Sequence, residues 1–384
     1  MAESLYIHIP FCKRRCFYCD FAIATVGGDL QKQYVDTLCT EIHLTAKHFP
    51  PTRPLQTIFF GGGTPSLLPV DLLAKIFQTI HEEFSTAPHV EISLEANPDS
   101  LELEQLYIYK ELGINRISLG VQTFQSELLK ICGRDHTVEQ IYEAVTAIKT
   151  AGFSNFSLDL ISGLPSQTLK DWEFNLDQAI ELQPTHLSIY DLILEENTAF
   201  YKQYNQNKFL LPSEESTVAM YLLTHEKLLS AGYVHYEISN YAQPNYPCKH
   251  NRNYWLNKTF YGVGMGATSY LNRQRIDRPR KFRAYLQMVE AWQANNILPT
   301  APILSDREEL FDTLMQGLRL AEGVNLAPYG QAVIADLRKL LLPYQAEGWL
   351  QWQGDNLSLT IPRGWLFSDQ VISNLYEHLL EQQG

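Results

Sequence analysis

Three cysteines, Cys12, Cys16 and Cys19, fall within eight residues near the start of a 384-residue chain that holds six cysteines in all. Thiolates at C-x3-C-x2-C spacing on one short segment can converge on a single metal centre. Structural zinc usually takes four protein ligands, commonly as two separated cysteine pairs, and no second pair follows here. His8 could complete a Cys3His set on paper, although its place is inside a predicted strand. The other solution is a cubane [4Fe–4S] cluster, in which three cysteines leave one iron without a protein ligand and open to a small molecule.

The elements that must position these residues follow from periodicity. Short apolar runs rich in Ile, Val, Phe and Tyr, bounded by Gly, Pro, Asn or Asp, predict strands at 5–10, 57–60, 90–96, 116–122, 156–161 and 186–192. Helical spacing of apolar residues predicts helices near 30–48, 69–84, 101–112, 137–151 and 168–182. Regular alternation implies βαβ units on a parallel sheet, and six of them suit an incomplete barrel. In such a barrel the chemistry belongs at the C-terminal ends of the strands, and the cysteine segment lies just past the first.

After about residue 195 the pattern changes, and 196–275 shows little clean periodicity. Helices return at 306–320 and 329–344, followed by a hairpin over 348–361 with its turn at Gly354-Asp355-Asn356 and a last helix over 368–382. Helices followed by a hairpin read as a winged-helix-like α+β domain. That segment is not basic, so packing or docking a partner is expected of it rather than binding DNA.

The charge balance is 30 basic against 43 acidic side chains, a net of −13. A chain this acidic repels polyphosphate, which disfavours nucleic acid as a partner. No run reaches the roughly 18 apolar residues that cross a bilayer, and the segment from residue 1 to 12 has neither the basic nor the apolar region of a secretory signal. A cytoplasmic protein without an integral membrane segment is expected, and in a reducing compartment its cysteines do not suggest a disulfide framework.

The second predicted strand ends in Phe59-Phe60-Gly61-Gly62-Gly63-Thr64-Pro65-Ser66. Three glycines there let the backbone approach a ligand closely and expose N–H groups, though a tight turn asks for the same residues. Glu95, Gln122, Arg134 and Asp159 stand at or just beyond successive later strand ends. Each alone would pass for an ordinary structural polar residue.

With its aromatic before the last cysteine, the triplet resembles the signature of the radical S-adenosylmethionine (SAM) superfamily. That resemblance implies a [4Fe–4S] cluster on Cys12, Cys16 and Cys19, with SAM chelating the open iron and cleaved after one-electron reduction to a 5′-deoxyadenosyl radical. The Gly62-Gly63-Thr64 loop resembles the GGGTP segment that holds the SAM ammonium. Glu95, Gln122, Arg134 and Asp159 match SAM-contacting positions of the oxygen-independent coproporphyrinogen oxidase group, and Tyr6 and Tyr18 match two more. Together they offer a carboxylate for an ammonium, a guanidinium for a carboxylate and acceptors for ribose hydroxyls. The likeness runs over roughly residues 4–320 and implies an α/β fold, a partial (β/α)6 radical-SAM barrel with the C-terminal domain appended.

Two departures set the chain apart from the oxidases themselves. They carry a fourth cysteine two residues after the third, where this chain has Phe21, and a longer segment before the cluster loop. His250-Asn-Arg-Asn-Tyr-Trp255 is similar to the H-N-x-x-Y-W hallmark of HemW-type heme chaperones, which deliver heme to apo-hemoproteins. The resemblance therefore implies heme, an apo-hemoprotein recipient and an electron donor as partners, with coproporphyrinogen III decarboxylation as the alternative. His250 is the candidate heme ligand, since neutral imidazole commonly ligates heme iron; the competing reading is a loop histidine beside core aromatics. Arg273, Arg275, Arg278, Arg280, Lys281 and Arg283 could receive propionates or form a solvated loop. Cys39 and Cys132 read as small buried hydrophobes, and Cys248 as a conceivable second heme contact. Gly262-Val-Gly-Met-Gly-Ala267 lacks the βαβ setting of a dinucleotide fingerprint. The domains expected are 1–195, the barrel; 196–300, an extension with the heme segment; and 301–384, the winged-helix-like unit.

Overall fold

Six parallel strands stand side by side in chain order: β1 (Ser4–Ile9), β2 (Leu55–Gly62), β3 (Thr86–Ala96), β4 (Arg116–Gln122), β5 (Phe156–Ser162) and β6 (His186–Asp191). The computed structural model describes residues 2–25, 27–296 and 299–381. Helices α1 (Gly28–His48), α2 (Val70–Glu83), α3 (Leu103–Glu111), α4 (Ser126–Cys132), α5 (Val138–Thr150) and α6 (Leu169–Glu181) occupy the crossovers. Nearest-neighbour connections of this kind are what short parallel crossovers favour. The registers β1–β2 (Leu5↔Ile58), β3–β4 (Glu95↔Ser118) and β4–β5 (Gly120↔Asp159) align the strand ends that carry the candidate residues.

The sheet curves without closing. β9 (Tyr261–Val263) adds in parallel to the outer edge of β1, while β8 (Asn240–Ala242) and β7 (Val234–Glu237) add antiparallel beyond β6. No pairing joins β9 to β7 among the described residues, so this is the expected incomplete barrel. Residues 196–300 thus supply both edges of the sheet. The strands are buried on both faces, as in β4, where every residue but Gly120 is buried, and this is why they read as near-continuous apolar runs.

Local sequence fixes the helix starts. Thr137 with Gln140 and Thr168 with Asp171 form capping boxes at α5 and α6, each worth about 1 kcal/mol. The segment without clean periodicity contains α7 (Ala199–Asn205), α8 (Glu214–Ser230) and α9 (Lys249–Trp255). The long α8 escapes a periodicity reading because Val218, Leu222 and Leu229 are exposed on one side while Met220 and Leu228 are buried on the other. Apolar residues on all sides blur the helical period.

A buried staple ties α1 to the extension. Glu41 accepts from Arg278 Nε at 2.7 Å, from the Tyr285 hydroxyl at 2.7 Å and from Gly264 N–H at 2.8 Å. Tyr285 belongs to α10 (Phe282–Asn295).

The C-terminal region has its own core, with Leu314, Leu326, Leu341, Leu357, Val371 and Leu375 among its members. Helix α11 (Asp306–Gly317) precedes a three-stranded antiparallel sheet of Val324–Asn325, Asn356–Leu359 and Leu350–Gln353. The hairpin turn is Gly354-Asp355, because Asn356 already pairs with Gln353. Two-residue turns need φ > 0, and Gly354 supplies it at +60°. The helix expected over 329–344 breaks into Gln331–Leu340 and Leu342–Ala346, with Pro343 in the first turn of the second, where a missing N–H costs nothing. The last helix runs Ser368–Tyr376 and widens over Glu377–Glu381; residue 382 of the expected 368–382 lies outside the described residues. No helix among the described residues is long and apolar enough to cross a membrane.

Candidate cofactor site

A cavity of about 560 Å³ opens at the C-terminal ends of the strands, and eleven of the thirteen expected site residues line it: Cys12, Cys16, Tyr18, Cys19, Gly62, Gly63, Thr64, Glu95, Gln122, Arg134 and Asp159. They come from the loop after β1 and from the ends of β2, β3, β4 and β5, together with the turn that closes α4 on Gly133. Alternation along a strand explains the selection, since residues two apart share a face. Glu95 and Asn97 thus project to one side of the β3 end, and Arg116, Ser118 and Gly120 to one side of β4.

The glycine loop has a tighter role than exposing donors. Gly63 N–H donates to Ile9 O at 2.8 Å, Thr64 N–H to Phe11 O at 2.8 Å and Gly62 N–H to Glu95 Oε2 at 3.0 Å. The free N–H groups expected here are therefore spent, and what the loop can offer a ligand is carbonyl oxygen, which suits a cation. A Cβ on Gly63 would stand 2.7 Å from the backbone oxygens of Pro10 and Phe11. Glycine at 63 lets the loop lie directly on the strand end that launches the cysteines.

Each of the three cavity cysteines has a donor near its sulfur. Thr64 Oγ1 lies 3.7 Å from Cys12 Sγ, Arg134 Nη1 3.5 Å from Cys16 Sγ, and Phe21 N–H 3.4 Å from Cys19 Sγ. Burial pushes the Cys12 thiol up to about 11 and raises that of Cys19, so these sulfurs become thiolates only with strong positive charge beside them, as a metal centre provides. Three thiols on one cavity wall, each with a donor, fit an iron–sulfur cluster. The zinc alternative loses its fourth ligand. His8 Nε2 donates to Ala22 O at 2.7 Å and Nδ1 accepts from the Tyr6 hydroxyl at 3.1 Å.

Opposite the sulfurs, Arg134 donates through Nη2 to Asn97 Oδ1 at 2.6 Å and to Gly120 O at 2.7 Å, while its buried Nε has no partner. Asn97 Nδ2 also donates to Thr64 Oγ1 at 3.1 Å, so Asn97 joins the arginine to the glycine loop. Sequence reasoning passed over Asn97, although its place two residues after Glu95 marks the same strand face. Gln122 is held at φ +68°, where the β4–β5 register slips between Gly120 and Gln122; such strain in a non-glycine residue collects at ligand sites. Burial pushes the Glu95 carboxyl up to about 7, with the Gly62 N–H acting against it and Asp159 adding to it. Asp159 is raised by burial too, while Ser118 donates to it at 3.0 Å and Ser157 at 3.2 Å. Two half-buried carboxylates at the cavity floor favour a cationic ligand above them.

Tyr6 and His250 stand apart from that wall. Both line a smaller chamber of about 160 Å³ beneath the cavity, bounded also by Glu95, Arg116 and Asp159. His250 is fully buried in α9, not in a loop; Nδ1 is hydrogen-bonded to Thr57 Oγ1 at 2.7 Å and Nε2 to the Tyr254 hydroxyl at 2.7 Å. Both ring nitrogens are thus engaged by hydroxyls of the protein. Cys248 is equally buried, its thiol 3.8 Å from Glu91. The basic run is largely spent as well. Arg273 pairs with Asp306 and Glu309, Arg275 with Asp312, Arg278 with Glu41 and Arg280 with Asp20. At the cavity rim Phe21, where the oxidases have their fourth cysteine, is 63% exposed.

Comparison with known proteins places the chain in a family. Residues 6–179 match the radical SAM superfamily and residues 304–367 the HemN C-terminal domain. A Synechocystis sp. protein named heme chaperone HemW is 42% identical, with 99% of this chain and 98% of the relative aligned; one of the same name from Bacillus subtilis is 37% identical over 84% and 85%. The solved structure of coproporphyrinogen III oxidase (HemN) from Escherichia coli, a radical SAM enzyme, superposes with a TM-score of 0.84 at 25% identity, covering 98% of this chain and 90% of that one. The chain belongs to the HemW family of the radical SAM superfamily.

Proposed function

We propose that this protein is a heme chaperone, one that carries a [4Fe–4S] cluster on Cys12, Cys16 and Cys19 together with SAM, and passes heme to an apo-hemoprotein. The observation that carries the cofactor reading is the single cavity bordered by the three cysteines, the Gly62–Thr64 loop, Glu95, Gln122, Arg134 and Asp159. The chaperone reading rests on relatives of that name aligned over nearly the whole chain.

When bound, such a cluster supplies one-electron chemistry toward SAM. The chain's own residues bind and orient. Arg134, with its unpartnered buried Nε, receives the SAM carboxylate, and Asn97 fixes its fork. Glu95 and the loop carbonyls hold the ammonium, and Asp159 and Gln122 accept the ribose hydroxyls. Tyr18, whose ring centroid is 6.3 Å from that of Phe200, walls the cysteine loop. An electron donor and an apo-hemoprotein are the partners, and the cytoplasm is the compartment this reading favours.

The second reading, oxidative decarboxylation of coproporphyrinogen III, is favoured by the likeness to that oxidase over nearly the whole chain and opposed by Phe21. Cluster-loaded protein given SAM, a reductant and coproporphyrinogen III separates the two. The chaperone reading expects no protoporphyrinogen, together with stoichiometric heme binding and transfer of that heme to an apo-hemoprotein. Catalytic turnover to protoporphyrinogen, or failure to bind heme, overturns it.

A further inference from the structure

Beneath the cavity lies a buried charge without a direct partner. Arg116, the first residue of β4, is 2% exposed; its Nε has no hydrogen-bond partner, and it forms no ion pair with any carboxylate among the described residues. Unpaired buried guanidinium is expensive, so its surroundings matter. It borders the 160 Å³ chamber, which shares Glu95, Ser118, Asp159 and Tyr190 with the main cavity. A chamber this polar and roomy takes ordered water, through which a guanidinium acts on carboxylates it does not touch.

We propose that Arg116 is a positioning residue for the SAM-binding carboxylates, its charge keeping Glu95 and Asp159 ionised toward the cavity from below. The inference rests on the SAM reading above. Glu91, from the cavity-distal part of β3, is a further negative neighbour of Arg116, and it is held in place by accepting from Lys249 N–H at 3.2 Å and His250 N–H at 3.1 Å. The remaining neighbours of Arg116, namely Tyr236, Cys248, His186 and His250, carry no negative charge near neutral pH, because burial raises the phenol and thiol and lowers the imidazoles. Around Glu95 stand Tyr6 from β1, Asp159 from β5, Tyr190 from β6 and Tyr254 from α9. Of these, Asp159 opposes ionisation of Glu95 and the phenols, held above their ordinary range, stay neutral, so Arg116 is the cation that counters both acids.

The direction of the pH effect follows. Glu95 is half ionised at about 7, so SAM affinity of the wild type rises with pH through that value. Removing the Arg116 charge raises the midpoint, and a midpoint one pH unit higher lowers affinity at pH 7 by about fivefold. The experiment is a SAM titration of cluster-loaded protein from pH 6 to 9 for the wild type, Arg116→Gln and Arg116→Lys, with thermal melting as the check on folding. The expected result is a raised midpoint in Arg116→Gln and a wild-type midpoint in Arg116→Lys. A folded Arg116→Gln with an unmoved midpoint overturns the proposal. Should that variant fail to fold, a raised midpoint in Arg116→Lys overturns it instead, since the charge is still there. Wild-type protein that binds no SAM at any pH overturns the functional reading itself, a different outcome.

Discussion

Replacing His250 with alanine separates a structural histidine from a heme ligand. The side chain is fully buried, satisfies Thr57 Oγ1 and the Tyr254 hydroxyl, and stacks on Phe59 with ring centroids 5.1 Å apart. Truncation strands the buried Thr57 hydroxyl and the half-buried Tyr254 hydroxyl, at about 1–3 kcal/mol for a buried one, and leaves a void, for an expected loss of about 3–5 kcal/mol. At about 2–4 °C per kcal/mol for a large domain, the melting temperature falls by roughly 6–20 °C. Tyr254→Phe and Thr57→Val each remove one of the same bonds, and their effects should be non-additive with that of His250→Ala in a double-mutant cycle. The assay pairs thermal melting with heme titration at a temperature where the variant is folded, and the heme spectrum there should match that of the wild type. Wild-type melting combined with lost heme binding would refute the argument and make His250 a ligand. Acid tests the same burial. Burial, with Arg116 adding, pushes the imidazole down to about 3, so the unfolded chain binds a proton that the folded one refuses. The stability tied to neutral His250 is therefore full above about pH 6.5 and is lost as pH falls toward 3.

Other expectations are as direct. Gly63→Ala drives a Cβ to 2.7 Å from the Pro10 and Phe11 carbonyl oxygens and should cost about 1–3 kcal/mol along with part of the reconstituted cluster, whereas Gly28→Ala, with nothing within 4 Å, should melt like the wild type. Cys16→Ser should abolish the iron–sulfur absorbance after reconstitution while leaving the melting of the apoprotein unchanged; retention of a full cluster refutes the ligand assignment. Glu237 is fully buried with Oε2 unpartnered, and burial pushes its carboxyl up to about 7. A raised carboxyl favours the folded state at low pH and costs stability as pH rises toward 7, so Glu237→Gln should gain about 2 kcal/mol more at pH 8 than at pH 5 in denaturant melts.

By itself the sequence determined the parallel frame, the crossover helices and the place of the chemistry. Strands buried on both faces announce themselves as apolar runs, capping residues mark α5 and α6, and C-x3-C-x2-C is local enough to survive without any knowledge of the fold. Glu95, Gln122, Arg134 and Asp159 each read alone as ordinary polar residues, and only the family resemblance singled them out; the structure brings them to one cavity. Tertiary structure alone decided the rest. The basic run of 273–283 looks free in sequence, yet its acids Glu41, Asp306, Glu309 and Asp312 arrive from distant elements. His250 looks available until Thr57, 193 residues away, takes one of its nitrogens. The three glycines look like a donor nest until Ile9, Phe11 and Glu95 claim their neighbourhood's N–H groups. Arg116 reads as an ordinary strand residue until the barrel curves around it and leaves its charge facing two acids. Periodicity reports which face of an element is buried; which partner waits there depends on contacts between residues far apart in the chain, and one sequence does not encode those in any local pattern.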